Sequence, residues 1–484
     1  MKKSLIALLL ALLLLAVGCS APAAEQGGEP TPGAGSPGEE AAGYQADVVI
    51  IGAGGAGMAA AIQVVDNGAS VVILEKMDYA GGNTIRSEGG MNAAETVFQK
   101  EKGIEDTVET MIEDTMTGGY DLSDPELVQY LAENSAATVD WLTGLGMDLS
   151  DVGQGAGATF ARMHRPADGS KIGGVLVPVL MENLESRGIT VLYGVRATEL
   201  VETGGAVTGV VAVDHEGSTL TFSANAVVMA TGGFGANEEL FVQYRPDLAG
   251  FTTTNHPGAT GDGIVMAQAV GADVVDMDQI QTNPTVELSS NIVISESVRG
   301  LGAIFINQAG ERFVNEMLTR DVLSSAILEL PEQYTYLVFD QAAMDSMAAL
   351  QENYERGIVL KGEDVAGLAE ATGVDAAVLE QSLADWNAAV AAGVDGEFGR
   401  ETGMDADLSH PPYYAIKVGP AVHYTMGGIK INTLAEVIDT EGAAIPGLYA
   451  AGEVTGGVHG GNRRGGNAGA DIMVFGRQAG MLAS

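Results

Sequence analysis

A glycine-rich turn between an apolar strand and a helix is the first feature of this sequence that could bind a cofactor. Residues 47–51 form a mostly apolar run, Gly52, Gly54 and Gly57 follow at once, and Glu75 ends the next apolar run. Such glycines allow a tight turn, close approach of the backbone to a pyrophosphate and close helix–strand packing, while the carboxylate accepts hydrogen bonds from ribose hydroxyls. The pattern predicts a dinucleotide site.

Two later segments separate FAD from NAD. Residues 226–233 and 447–453 each join an apolar strand to a turn of small residues, far from the first turn in sequence. A chain that returns twice to the nucleotide site is typical of enzymes that cover a flavin, and an enzyme using NAD alone does not need these returns. We therefore predict FAD, with Thr231, Gly232 and Glu453 at the site.

The composition indicates a folded protein of two domains with an acidic surface. The 484 residues are 46% hydrophobic and 18% charged, and 64 acidic against 23 basic residues give a formal charge of −41. So negative a field argues against nucleic acid or an anionic membrane surface as a partner. An anionic substrate would therefore need a few arginines to bind it against the negative potential of the rest of the protein. We predict no metal site.

The N-terminal residues have the parts of a bacterial lipoprotein signal. Two lysines precede an apolar run over residues 5–17, and Cys19 is the only cysteine. We predict a signal peptide over residues 1–19, a lipid on Cys19 and a flexible linker over residues 20–43, so that the folded part lies outside the cytoplasm on the membrane. An ordinary signal peptide with a chance cysteine is the alternative. One cysteine allows neither an internal disulfide nor a Cys-x-x-Cys haem attachment.

Longer motifs carry a resemblance to a known family. They occupy Gly81–Thr84, Glu88–Ala93, Glu296–Gly300, Arg312–Glu316, Thr319–Asp321, His423–Gly428 and His459–Asn467. Over residues 44–484 the sequence resembles the soluble fumarate reductase family of flavoproteins, which are relatives of succinate dehydrogenase flavoprotein subunits. That family includes urocanate reductases, other reductases of α,β-unsaturated carboxylates, and ketosteroid dehydrogenases.

The resemblance implies a set of cofactor contacts. The positions that match those cradling FAD in the family are Ala56, Glu75, Asn83, Thr84, Gly89, Gly90, Asp262 and Glu453. Membrane-bound relatives attach FAD covalently through a histidine near the second of the motifs above. No histidine lies between residues 76 and 100, so we predict non-covalent FAD.

The resemblance also implies catalytic roles. Reduction of an enoate needs a hydride, a proton and positive charge on the carboxylate. Arg320 matches the family's proton donor, and Arg299 and Glu296 match the relay that returns a proton to it. At the carboxylate we expect a guanidinium with two parallel donors and a helping imidazole. The predicted substrate contacts at this end are Arg463, His423 and Gly466.

One departure from the family concerns the far end of the substrate. Fumarate reductases carry a histidine in a His-Pro-Thr motif that binds the second carboxylate, whereas this chain has Asn283 at that position and Ser295 where a threonine assists. An asparagine donates a neutral hydrogen bond but cannot become cationic. The change weakens the case for fumarate without weakening the case for an enoate.

We expect an α/β fold with a Rossmann-like FAD-binding domain and an inserted, smaller α+β clamp (capping) domain. The FAD domain is predicted over residues 44–276 and 425–484, as a parallel sheet with helices on both faces. The clamp domain is predicted over residues 277–424, with helices near residues 364–373 and 376–392. The active site would lie between the two domains.

The leading functional hypothesis is an FAD-dependent reductase of a small α,β-unsaturated carboxylate, used in anaerobic respiration. Fumarate is the reference substrate, and urocanate, acrylate-type and cinnamate-type acids are rivals. A dehydrogenase running the reverse way, for example on steroids, and a flavin-binding lipoprotein without catalysis are the other two classes. Because the sequence shows no haem or iron–sulfur motif, a separate flavin- or haem-bearing protein is expected to supply electrons.

Overall fold

The computed structural model describes residues 42–155 and 157–484. The predicted signal peptide and Cys19 lie outside these residues. The first strand, Ala42–Gln45, pairs in parallel with Thr219–Ser223, so the predicted linker of residues 20–43 extends two residues too far. In the described ranges, no helix has both the length and the apolar character needed to cross a membrane.

The described residues form two bodies: the core of the larger lies in residues 48–280 and 422–483, and the cores of the smaller lie in residues 294–418. The central sheet of the larger body has six strands. In spatial order they are Glu436–Ile438, Ala444–Ala450, Ala226–Met229, Val48–Ile51, Val71–Glu75 and Thr190–Tyr193. All neighbours are parallel except the first pair, which is antiparallel. Val48–Ile51 is buried throughout, as a strand covered on both faces must be. This arrangement confirms the predicted Rossmann-like fold.

Three smaller sheets complete this body. The largest is a four-stranded sheet that packs against Ala226–Met229 and Ala444–Ala450, and the prediction that helices cover both faces missed it. Its strands in spatial order are Ala42–Gln45, Thr219–Ser223, Ala206–Val213 and Arg196–Thr203. The other two sheets are Met91–Asn92 with Met163–Arg165 and Asp151–Gly153, and Val274–Val275 with Gly428–Ile429.

Close helix packing joins the two ends of the larger body. The C-terminal helix Asn467–Ala483 lies along the nucleotide helix Gly55–Asp66. A side chain at Gly480 would place its Cβ 2.3 Å from the Ala60 carbonyl oxygen, so only glycine permits this approach. The remaining helices here are Val97–Glu101, Val108–Gly118, Pro125–Gly144, Ile172–Ser186, Glu238–Tyr244 and Asp262–Ala269, with short 3₁₀ turns at Thr84–Arg86 and Pro246–Leu248.

The smaller body is built on a second six-stranded sheet. Its strands are Ile292–Val293, Ile280–Glu287, Tyr413–Thr425, Thr335–Asp340 and Ile304–Ile306 in spatial order, with Leu360–Gly362 also paired to Tyr413–Thr425. Its helices are Ser297–Gly300, Arg320–Leu328, Gln341–Ser346, Ala348–Glu355, Val365–Thr372 and Ala376–Ala392. The last two confirm the predicted helices.

The hydrophobic cores follow the same division of the chain. One core combines residues from 48–280 with residues from 422–483, and two others lie within residues 294–418. The larger body is therefore assembled from two separate segments, with the smaller α+β body between them in sequence. Trp386 is fully buried and belongs to one of the two cores of the smaller body.

Candidate active site

A cavity of about 460 Å³ opens where the parallel strands end. Gly52, Glu75, Thr231 and Gly452 line it, and each lies at or just after the carboxyl end of one strand of the central sheet. Ligands of open α/β sheets bind at this edge. The cavity continues toward the smaller body, which contributes Arg320 and other residues to its wall.

The three glycines of the first turn meet three different constraints. Gly52 has φ of +106°, and a Cβ there would lie 2.4 Å from the Ala230 carbonyl oxygen. A Cβ at Gly57 would lie 2.0 Å from the Gly52 carbonyl oxygen. A Cβ at Gly54 would meet nothing within 4 Å, because Gly54 faces the cavity. The outer two glycines permit packing, and the middle one leaves room for a ligand against the backbone.

The carboxylate of Glu75 closes the turn. One oxygen accepts from the Ala53 N–H at 2.8 Å and the other from the Met77 N–H at 2.8 Å. Burial raises the pKa of Glu75, although these two hydrogen bonds and the charge of Lys76 oppose the rise. A carboxylate has further acceptor positions, so Glu75 can still accept from ribose hydroxyls.

Asn83 and Glu453 connect distant parts of the chain at the cavity wall. The Asn83 amide donates to the Glu453 carboxylate at 2.9 Å and to the side-chain oxygen of Asn255 at 2.7 Å, and its own side-chain oxygen accepts from the backbone N–H of His256 at 2.6 Å. The Thr84 hydroxyl accepts from the Gly55 N–H at 3.1 Å. These contacts hold the walls of the cofactor cavity together. Sequence reasoning missed Asn255.

Asp262 holds two cations that line the same cavity. Lys76 Nζ and Arg196 Nη2 each lie 3.1 Å from its carboxylate. Burial alone would raise the pKa of Asp262, but Lys76, Thr260 and Arg196 together lower it. No sequence pattern pointed to Arg196. Lys76 and Arg196 place positive charge in the wall of the cavity, where it can attract an anionic ligand group.

A buried hydroxyl supports the fit of a large polar cofactor. Thr231 Oγ1 is buried and has no hydrogen-bond partner among the described residues. Buried hydroxyls are normally paired, so this atom lacks a group that a ligand would supply. Beside it, Gly232 has φ of +74° and open space at its Cβ position. Both residues line the cavity.

At the other end of the cavity, one carboxylate lies between two guanidinium groups. Arg320 Nε donates to Glu296 Oε1, and Arg299 Nη2 lies 3.7 Å from the same oxygen. Burial alone would raise the pKa of Glu296, but the charges of Arg320 and Arg299 lower it to about 2. Glu296 directly precedes the short helix Ser297–Gly300, so Glu296 and Arg299, three residues apart, lie on one turn.

Arg299 lies behind Glu296 and is 3% exposed. It does not line the cavity. Its Nη1 donates to the Glu316 carbonyl at 2.6 Å. The Glu316 carboxylate in turn binds Arg400 at 3.0 Å and Arg312 at 2.9 Å, and both guanidinium groups stack over Trp386. A buried ion network therefore fixes the backbone that holds Arg299.

Gln281 links the two arginines that face the cavity. Its side-chain oxygen accepts from Arg320 Nη1 at 3.0 Å and from Arg463 Nη2 at 3.1 Å. Its nitrogen donates to Asn462 at 2.6 Å and to the Arg463 carbonyl at 2.8 Å. Sequence reasoning missed Gln281. Alternation along the strand, which puts residues 281 and 283 on one face, was the signal that could have found it.

Arg463 is buried without a carboxylate partner among the described residues. It makes no ion pair there, its Nε has no hydrogen-bond partner, and its guanidinium stacks at 4.8 Å over the ring of Tyr424. Burial and the charge of Arg320 lower the pKa of Arg463 to about 10, so it stays cationic at neutral pH. This guanidinium can receive an anionic ligand.

A β-bulge places His423 in the wall of the cavity. Tyr424 pairs with Gln281 and Val422 pairs with the next residue, so His423 is the extra residue of its strand. Its Nδ1 lies 2.7 Å from the Thr254 hydroxyl. Burial and the charges of Arg320 and Arg463 hold the pKa of His423 well below its ordinary value. A neutral imidazole therefore lies beside the two arginines.

The structure brings nearly all the predicted site residues to one cavity. Those that line it are Gly52, Gly54, Ala56, Glu75, Asn83, Thr84, Gly89, Gly90, Thr231, Gly232, Asp262, Asn283, Ser295, Glu296, Arg320, His423, Glu453, Arg463 and Gly466. Gly57 and Arg299 lie behind the wall. Over residues 42–155 and 157–484, no three His, Cys, Asp or Glu side chains form a group that could hold a metal ion.

Comparison with known proteins decides the family. The FAD binding domain family matches residues 47–468. The urocanate reductase of Eggerthella lenta is 39% identical over 90% of this chain and 74% of its own. The chain belongs to the fumarate and urocanate reductase family of flavoproteins. Its cofactor is FAD.

Two further relatives show how far the likeness extends. A flavocytochrome c3 fumarate reductase in an open conformation superimposes with a TM-score of 0.81 at 42% identity, over 91% of this chain and 78% of the other. The NADH:fumarate oxidoreductase of Klebsiella pneumoniae is 47% identical over 92% of this chain. The flavoprotein chain spans only 48% of that relative's length.

Gly57→Ala is expected to weaken FAD binding by about tenfold or more, because the new Cβ would overlap the Gly52 carbonyl and displace the nucleotide turn. Flavin absorbance per chain after purification and dilution measures the effect. Gly174→Ala is the matched control, since Gly174 lies on the helix Ile172–Ser186 with nothing within 4 Å of its Cβ position. Full flavin content in the Gly57 variant would contradict this account of the turn.

Proposed function

We propose that this protein reduces the carbon–carbon double bond of a small α,β-unsaturated carboxylate. The observation that carries the proposal is Arg463, a buried guanidinium without a carboxylate partner among the described residues, beside the Arg320–Glu296 pair and in the same cavity as the FAD residues. Bound and reduced FAD supplies a hydride. Relatives named fumarate and urocanate reductases support the assignment.

The residues account for the remaining chemistry. Arg463 and the neutral His423 hold the substrate carboxylate and stabilise the negative charge that grows as hydride reaches the β-carbon. Arg320 gives an N–H proton to the α-carbon, where the π-electron pair forms the new C–H bond. Glu296 then passes a proton from Arg299 to the neutral Arg320. The product has gained one hydride and one proton, and the flavin is left oxidised.

Arg320→Ala is expected to lower kcat by about 100- to 10,000-fold while FAD stays bound, because the variant lacks the proton donor but keeps every cofactor contact. The assay follows reoxidation of dithionite-reduced viologen by fumarate, urocanate, acrylate and cinnamate. Arg356→Ala, which removes a 52% exposed arginine of the same body, should leave the rate unchanged. Loss of FAD from the Arg320 variant would show that its role is misassigned. Failure of every acid in the panel with the unaltered protein would favour a flavin-binding protein without catalysis.

The FAD is proposed to be non-covalent. The support is the absence of histidine between residues 76 and 100, the stretch where membrane-bound relatives of the family carry their attachment site. Acid precipitation should therefore leave the flavin in the supernatant. Yellow colour that remains in the washed pellet would contradict the proposal.

The protein is proposed to be lipid-anchored through Cys19 outside the cytoplasm, where a separate flavin- or haem-bearing protein delivers electrons during anaerobic respiration. The support is the lysine pair, the apolar run of residues 5–17 and the single cysteine. Cys19→Ala should move the protein from the membrane fraction to the soluble fraction, because the lipid acceptor is lost. An unchanged distribution would disprove the anchor, and rapid reduction of the purified protein by NADH alone would disprove the separate donor.

A further inference from the structure

The far end of the cavity, which we call the distal pocket, is formed by Asn283, Val293 and Ser295. Asn283 lies on the strand Ile280–Glu287, two residues after Gln281. Alternate residues of a strand share a face and are separated by about 7 Å. The distal pocket is therefore about 7 Å along the strand from Gln281, the residue that binds both arginines.

Hydrogen bonds fix the orientation of the Asn283 amide. Its oxygen accepts from the Thr285 N–H at 2.9 Å and from the Thr285 hydroxyl at 3.1 Å. A flipped amide would set its NH₂ against the backbone N–H, so the nitrogen must lie on the other side. Asn283 is 1% exposed, and its Nδ2 is buried with no partner among the described residues. This donor lacks an acceptor that a ligand would supply.

The other residues that we assign to the distal pocket carry no charge. Val293 is apolar, Thr285 gives its hydroxyl proton to the Ile294 carbonyl at 2.8 Å or to Asn283, and Ser295 offers a hydroxyl. A carboxylate that leaves water needs a cation or several strong donors to replace its hydration. One amide N–H and one hydroxyl suit a neutral acceptor better than a second carboxylate.

The ion pairs of Arg320 and Arg463, at the end of the cavity opposite the distal pocket, also favour a substrate with one carboxylate. Arg320 is already paired with Glu296, whereas Arg463 has no carboxylate partner in the described part of the chain. Of these two arginines that face the cavity, only Arg463 lacks a carboxylate partner among the described residues, so it is the one that is free to bind a substrate carboxylate. A dicarboxylate would carry a second negative charge to a pocket without a cation.

We propose that the substrate is a monocarboxylic enoate with an uncharged hydrogen-bond acceptor at its far end, such as an amide or ketone oxygen or a neutral ring nitrogen, which receives the Asn283 Nδ2–H. The proposal rests on the proposed function, because it names the class of enoate that the same site takes. It makes Asn283 the residue that determines specificity.

The experiment compares three acids of equal chain length in the reduced-viologen assay: the monoamide of fumaric acid, fumarate and crotonate. The monoamide should exceed both others in kcat/KM by about tenfold, because only it pairs the buried donor without adding charge. Asn283→Leu should lower the ratio of kcat/KM for the monoamide to kcat/KM for crotonate by about tenfold, because the intrinsic difference in alkene reactivity is the same in both proteins and only the contact of the amide with Asn283 is lost. Asn283→His should shift the preference toward fumarate, since imidazole can become cationic. Asn134→Leu, the same exchange on the helix Pro125–Gly144 away from the cavity, should preserve the order.

Binding of saturated analogues gives a second measurement that needs no turnover. Calorimetry on the oxidised holoenzyme should show the monoamide of succinic acid binding about tenfold more tightly than succinate. If no enoate is reduced but this order of binding holds, the proposed function fails and the inference about the distal pocket stands. Fumarate as the best substrate of the unaltered protein, or an Asn283→Leu variant whose preference for the monoamide over fumarate and crotonate is unchanged, would overturn the inference.

Discussion

The contact of Glu296 with Arg320 and Arg299 is the interaction on which the reactive end of the cavity depends. The guanidinium groups of Arg320, Arg299 and Arg463 would repel one another in a site that excludes water. The single negative charge of Glu296 is shared by Arg320 and Arg299, and its pKa of about 2 keeps the carboxylate ionised throughout the physiological range. Arg463 is left with its charge unpaired by any described carboxylate. A chain of net charge −41 thereby retains a local site for an anion.

The cation cluster stays in place because a second buried network supports it. The Glu316 carboxylate forms ion pairs with Arg312 and Arg400, and the Glu316 backbone carbonyl accepts a hydrogen bond from Arg299. Breaking a buried network of this kind costs about 3–5 kcal/mol, since the surviving charges lose their partners. This buried network therefore determines where Arg299, the proposed relay residue, lies, although Glu316, Arg312 and Arg400 do not line the cavity.

Local sequence patterns predicted the parts of the site that depend on neighbouring residues. The nucleotide turn from Gly52 to Gly57 follows from steric rules within one strand–turn–helix, and Glu296 and Arg299 follow from one helical turn. Gln281 and Asn255 escaped prediction because their roles arise from contacts across more than a hundred residues of chain. The bulge at His423 also could not be predicted from the sequence, because it depends on the register between two strands that are distant in the chain.

The bridge made by Gln281 has a stereochemical consequence. Because one amide oxygen binds both Arg320 and Arg463, the proposed proton donor and the proposed carboxylate anchor hold a constant position relative to each other. In the proposed reaction, a substrate held both at Arg463 and in the distal pocket presents a single face of its alkene to Arg320. Prochiral acids bearing a substituent on the α-carbon would then all be protonated from the same side, and each would give one enantiomer whatever group fills the distal pocket.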